Sequence, residues 1–268
     1  MMNGLGSEVF HLVRETRILE KFDRDITEHL QQEMVRQGIN LYLETNVSQI
    51  RPTPDGLEVS LDGKVTKTIL VDTVLAATGR SPSLEGLHLD CAGVALTDGK
   101  NHPPMIRVDH RYRTSQPHIF AIGDCIDRIH LTPVAVAAGR NFAQMEFGGK
   151  PALVNEQAIP TAVFSHPQVA MVGMTEEDAR QQLGDRIDCH IKRFTPLYNQ
   201  IATRQETSLV KLIIDRPTEQ IVGIHIIGDH ASEIIQGFAV AMGMKLSTVN
   251  LERAIALHPS VAEELLSL

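Results

Sequence analysis

The residues best suited by type and spacing to do chemistry stand near the C-terminus, in LHPSVAEELLSL. His258 precedes Pro259, and Glu263 and Glu264 follow just over one helical turn later, so one carboxylate can reach back to the imidazole. A histidine oriented by a carboxylate is a general acid/base arrangement. The plainer alternative is a helix that starts after His258-Pro259, with acidic residues in its first turn and a histidine at its mouth. A second candidate is HIFAIGDC, read as a buried strand that ends in Gly123-Asp124. Such an ending puts a carboxylate at the carboxyl edge of a sheet, where open α/β sheets bind ligands. Asp124 there can accept hydrogen bonds from sugar or ribityl hydroxyls, or simply form a turn. Thr132-Pro133 opens an alanine-rich helix, with Thr132 read as its cap and Pro133 as its first residue. The free amides of that helix start favour an anion, or a ring on which negative charge develops. Arg140, two turns along, can pair with a carboxylate. Arg14 closes the apolar stretch EVFHLV. An arginine at the end of a βαβ strand accommodates a ribose 2′-phosphate, whereas elsewhere it is a solvated surface charge.

Other chemistry is excluded. Cys91, Cys125 and Cys189 are too far apart for a CxxC zinc or redox pair. His102, His110, His118, His130, His166 and His190 show no HExxH or HxxH spacing, so no metal site is read. The chain of 268 residues carries a net charge of −8, which supplies no basic field for nucleic acid. No apolar run reaches the ~18 residues a membrane span needs. The start, MMNGLGSEVF, has no basic and apolar leader pattern. With isolated cysteines, a reducing, cytoplasmic setting is expected.

The elements that must hold these residues follow from periodicity. Phe22, Ile26, Leu30 and Met34 recur at helical spacing, with Asp23 and Asp25 in the first turn and Gly38 as the stop. Strand signals over 7–13 and 39–43 flank this helix, which predicts a parallel βαβ unit. Turn signals at Pro54-Asp55-Gly56 and Asp62-Gly63 predict short antiparallel strands, ending in a buried apolar run, ILVDTVLAA, that breaks at Thr78-Gly79-Arg80. Beyond 155 the pattern predicts an α+β region. Its strands fall near 161–164, 169–172, 189–194, 208–214 and 221–227, and its helices near 175–183 and 231–242.

Eight stretches, taken in order, carry a resemblance: ATGRSP, IFAIGD, LTPVAVAAGR, IPTAVFSHPQVAMVGMTEEDA, FTPLYNQ, IVGIHIIG, QGFAVAMGM and HPSVAEE. Together they resemble the flavin-dependent pyridine-nucleotide disulfide oxidoreductases across nearly the whole chain. FTPLYNQ and the HPSVAEELLSL ending resemble the branch that acts on glutathione disulfide. The resemblance implies an α/β fold in three parts: a partial NAD(P)H-binding domain over 1–83, the C-terminal part of an FAD-binding domain over 84–154, and an α+β dimerisation domain over 155–268. It implies FAD and NADPH as cofactors and a homodimer.

The same resemblance assigns roles. Asp124 would meet the ribityl chain, and Thr132 with its helix start would meet the pyrimidine side of the flavin. Arg14 would meet the 2′-phosphate, and Gly79 and Arg80 would lie near the nicotinamide cofactor. Arg140 would hold a glutathione carboxylate. His258, paired with Glu263, would protonate the departing thiolate in the partner subunit's site, with Glu264 and Ser267 bordering the disulfide. Three departures qualify this. The sequence has no GxGxxG and no CxxxxC, and Glu20 stands where NADPH-using members often carry a second arginine, a place Arg17 can fill. The chain therefore resembles the C-terminal part of such an enzyme and is expected not to reduce a disulfide alone. A dihydrolipoamide or mercuric reductase type, and a non-catalytic dimerisation module, are the alternatives.

Overall fold

A computed structural model describes residues 1–99, 103–150 and 158–267. The expected boundary at 154/155 and His102 lie outside the described residues. The fold is mixed α/β, as the sequence pattern predicts. The chain divides into two compact units: Met1–Val74 together with the described part of Gln157–Leu268, and Leu75–Glu156.

In the first unit, β1 (Phe10–Leu12) and β2 (Asn40–Tyr42) pair in parallel across the helix α1 (Arg24–Arg36). Asp23 caps α1, its side chain accepting from the Asp25 amide at 3.1 Å. β3 (Thr45–Thr53), β4 (Gly56–Gly63) and β5 (Thr68–Val71) form an antiparallel meander. The run after β5 corrects the expectation of a buried strand. Residues 72–77 are not in a strand, and Leu75 is 86% exposed. No strand among the described residues pairs with them, and an extended segment without a ladder has no backbone partners to bury.

The larger sheet runs β6-β7-β10-β9-β8, all antiparallel, with β6 Thr161–Val163, β7 Val169–Gly173, β8 Ile187–Phe194, β9 Ser208–Asp215 and β10 Gln220–Ile227. β9 is buried along its whole length, as a central strand covered on both faces must be. Its period of two divides it. Val210, Leu212 and Ile214 face the core shared with Ile235 and Ala239 of α5 (Ala231–Gly243). Leu209 faces the other way, against Ile26 and Leu30 of α1. Ile213 packs with Ala179 of α3 (Glu176–Leu183), which Thr175 caps through the Asp178 amide at 3.1 Å. Gly173 ends β7 at φ +84°, and an added Cβ would lie 2.2 Å from the Val222 carbonyl oxygen. Gly173→Ala is therefore expected to destabilise by about 1–3 kcal/mol. A urea midpoint equal to wild type would contradict this.

The second unit has one long helix, α2 (Thr132–Glu146), over a core of Val94, Ile106, Tyr112, Ala121, Ile126, Ala138 and Met145. The buried strand expected at HIFAI is instead an extended segment with one bridge, Arg113 to Phe120. Ile122 is exposed, and a 3-10 turn follows at Gly123–Cys125. A strand needs a neighbour to complete its ladder, and a single bridge does not supply one.

Candidate functional site

The C-terminal site is built on a short turn, not on the helix the sequence predicts. Residues Ala262–Leu265 form only a 3-10 turn. The Ser260 amide donates to Glu263 Oε1 at 3.1 Å, and the Glu263 amide donates to Ser260 Oγ at 3.2 Å. This reciprocal closure satisfies two amides that a helix start leaves open, and the backbone beyond it bonds i→i+3, as short 3-10 pieces do. Leu265 plugs the segment into the core that β9 and α5 share, at 1% exposure. The same closure aims Glu263 at His258. Nδ1 of His258 lies 3.0 and 3.2 Å from the two carboxylate oxygens. The imidazole itself is 79% exposed. The Ser260 amide and then His258 hold the Glu263 carboxyl below its ordinary range, so it is a carboxylate at neutral pH. A carboxylate on Nδ1 selects the Nδ1–H tautomer and stabilises the imidazolium, leaving Nε2 to exchange a proton with solvent or substrate.

At the start of α2 the cap differs from the sequence reading. Leu131, extended at φ −132° and ψ 138°, is the N-cap, and Thr132 is already helical. Pro133 still fits, because its missing N–H is one the first turn cannot satisfy anyway. Leu131 has no side-chain acceptor, so the first-turn amides are uncapped and keep their partial positive charge. Asp124 and Arg140 are exposed. Gly123 has φ +78°, a conformation that favours glycine, with only the Ala135 Cβ nearby at 3.6 Å from an added Cβ. Gly79, at φ +114°, and Arg80 are exposed. The open amides, the exposed carboxylate and the bare glycine form a set that fits a polyhydroxylated, ring-bearing ligand.

In the first unit, Arg14 is exposed and its guanidinium donates to Glu15 at 2.6 and 2.9 Å. Arg17 is turned to Glu177 of α3, at 3.2 and 3.3 Å, and to the Glu20 carbonyl at 2.9 Å. Arg14 remains a cation open to solvent that a phosphate can draw from its neighbour, whereas Arg17 is committed to Glu177. The three cysteines are free. Burial, with Glu176 nearby, pushes the Cys189 thiol up to about 11, so it stays protonated at neutral pH.

Sequence reasoning missed a deeply buried charge cluster. Lys211, mid-way along β9, is 1% exposed. Its Nζ donates to Asp23 at 2.9 Å, Asp25 at 2.6 Å and Glu176 at 2.7 Å. The acidic start of α1, expected from the sequence to be favoured by the helix dipole, is also the docking point of α1 on the sheet. His225 lies beside Lys211 on β10, its Nε2 2.9 Å from the Met174 carbonyl oxygen. Burial lowers its pKa, so it is neutral. A polar residue at an inward position of a strand that is otherwise apolar was the available signal.

Residues 1–139 match the family described as pyridine nucleotide-disulphide oxidoreductase, and residues 159–268 match that family's dimerisation domain. The chain is 40% identical to the glutathione reductase of Nostoc sp. over 275 aligned positions, covering all of this chain and 60% of that protein. It is 38% identical to the glutathione reductase of Burkholderia cepacia, covering 100% of this chain and 58% of that protein. The glutathione reductase of Schizosaccharomyces pombe is 33% identical over 99% of this chain and 57% of its own length. The chain thus spans about 60% or less of the length of these relatives.

Proposed function

Because this chain belongs to the pyridine nucleotide-disulphide oxidoreductase family, we propose that it is the proton-transfer and dimer-forming part of an FAD-dependent, NADPH-using glutathione-disulfide reductase. The observation that carries this reading is the solvent-facing His258 with Glu263 3.0 Å from its Nδ1. We assign residues 1–83 to nucleotide binding, 84–154 to flavin binding and 155–268 to dimerisation. Bound FAD and NADPH supply the two electrons that disulfide reduction consumes. The residues of this chain do the rest. Asp124 would accept hydrogen bonds from the ribityl hydroxyls of FAD, and the uncapped start of α2, with Thr132, would stabilise negative charge on its ring. Arg14, in the first unit, would bind a ribose 2′-phosphate, and Gly79 and Arg80, in the second, are assigned to contact with a nicotinamide cofactor. Arg140 would hold a glutathione carboxylate, and Glu264 would border the disulfide substrate. His258 gives its Nε2 proton to the thiolate sulfur that departs when the disulfide breaks, and Glu263 stabilises the imidazolium before that transfer.

A homodimer is supported by the large apolar side chains left exposed within 159–268, among them Phe164, Tyr198, Ile201, Met244, Ile255 and Leu257. Among the described residues, no helix is long and apolar enough to cross a membrane. The isolated, unpaired cysteines fit a reducing compartment such as the cytoplasm.

None of the three cysteines forms the CxxxxC pair such a reaction needs, so the chain alone is inactive. The test is to assay the purified chain with FAD, NADPH and glutathione disulfide, then repeat the assay with the N-terminal remainder of a relative added. Flavin retention through gel filtration and reduction only in the assembled sample are the expected result. Turnover by the chain alone, or none in an assembled, flavin-loaded sample, would sink the reading.

A further inference from the structure

The C-terminal segment that carries His258 has little holding it on its N-terminal side. Residues 252–259 are exposed. Its orientation must come from residues 260–267, and there Leu265 supplies an apolar plug. A plug fixes depth, but an apolar contact is non-directional and leaves rotation about the segment open. The polar tie comes from β8. Lys192 follows the strand's period of two onto the face of Phe194, and it pairs in register with Val210, a residue of the core that takes Leu265. Its Nζ forms an ion pair with Glu264 and donates to Ser267 Oγ at 2.9 Å. Ser267 Oγ in turn lies 3.4 Å from the Glu264 carbonyl oxygen and 3.5 Å from its carboxylate. Two tethers three residues apart, on either side of a plug, define a rotation.

We propose that Lys192 is a positioning residue for the His258–Glu263 pair, clamping residues 264 and 267 to β8 so that Glu263 stays on the imidazole Nδ1. This rests on the role proposed above for His258. It has a second consequence. Glu264 is neutralised by Lys192, so this edge of the site presents a compensated pair, not a bare carboxylate, to a substrate's charged ends. The bland alternative is a lysine that only guards an exposed sheet edge. That role needs neither Glu264 nor Ser267.

The clamp is tested on the full chain labelled with ¹⁵N-histidine, with His258→Gln to assign the signal. The charged group on the imidazole is Glu263, and Lys192 from β8, paired with Glu264, acts on Glu263 from the sheet. A neutral imidazole in water prefers the Nε2–H form, and a carboxylate on Nδ1 holds the other one. Wild type is expected in the Nδ1–H form. Lys192→Met is expected to move the population toward Nε2–H and to raise amide exchange over 262–266 by roughly two- to fivefold, the range a half-exposed ion pair supplies. Lys192→Arg is expected to restore both. Wild-type tautomer and exchange in Lys192→Met would overturn the proposal. If that variant does not fold, Ser267→Ala, which removes one tether, is expected to shift both readouts the same way, and wild-type values there overturn it equally. Neither readout needs turnover. A working clamp with no effect of His258→Gln on the assembled enzyme would therefore defeat the functional reading alone.

Discussion

Replacing Lys211 with methionine is expected to cost the first unit about 3–5 kcal/mol, because it removes one cation and leaves its carboxylates behind. Asp23 is as buried as Lys211 itself, at 1% exposure, and has no route to water without undocking α1. For a unit of this size the loss corresponds to a melting point lower by about 10 °C or more. The pH dependence gives an independent check. Burial pushes the Glu176 carboxyl up, but hydrogen bonds from Lys211 and Arg180 outweigh it and hold the group at about 2, against 4.5 in an unfolded chain. Asp23 is held below its ordinary value as well, burial being outweighed by hydrogen bonds from Lys211 and the Glu176 amide. Groups depressed in this way stabilise the fold above their unfolded values and lose that contribution as pH falls toward the folded ones. The gap between wild type and Lys211→Met should accordingly be full near neutrality and close as pH drops from 4.5 toward 2. Urea unfolding at several pH values measures this. A gap under about 1 kcal/mol at neutral pH would mean that the cluster relaxes without its cation.

His258→Gln is expected to lower disulfide reduction in the assembled enzyme by about 10²–10⁴-fold, the usual worth of a positioned general acid. Glutamine keeps the approximate shape and can still meet Glu263, but it has no proton to give at neutral pH. On the reading proposed above, the steps before the disulfide opens do not use this residue. Reduction of bound flavin by NADPH, followed by its visible absorbance in a stopped-flow instrument, should thus stay near wild type. Glu263→Gln should cause a smaller loss of the same kind, since it leaves the imidazole in place but removes the group that selects its tautomer. A variant that slows flavin reduction as much as disulfide reduction would show that the change had disturbed folding or dimerisation instead.

The two clusters differ in how far they can be read in advance. His258, Glu263 and Ser260 lie within six residues, so one turn's geometry decides whether they meet, and their order already brings the carboxylate within reach. Even there the expected helix proved to be a 3-10 turn, closed by i→i+3 backbone bonds from the Glu264 amide to the Val261 carbonyl and from the Leu266 amide to the Glu263 carbonyl. Likewise the Thr132-Pro133 signal locates a helix start correctly but assigns the cap one residue late, since Leu131 and not Thr132 takes the extended backbone. The strands of the α+β region were legible to within a few residues, for their apolar runs are bounded by strong turn signals. The runs at 69–77 and 118–122 look equally apolar, yet most of the first is exposed and neither forms the buried strand expected. Burial of a strand depends on a neighbour, and composition carries no information about neighbours.

Periodicity, caps and turn residues are local terms, and the residues that express them sit next to one another in the chain. They were enough to define the α/β class, the βαβ unit and the His258–Glu263 pairing. The Lys211 cluster joins residues 188 and 186 positions apart. The apolar run around that lysine marks it as unusual, but no local term names the carboxylates it meets. Its burial was decided only when the sheet order put β9 between β10 and β8 and α1 packed over it, so that the acidic start of a helix and the single inward lysine of a strand faced each other where water could not separate them. The same holds for Lys192 and the C-terminal turn, 75 residues apart along the chain and joined at the edge of one sheet.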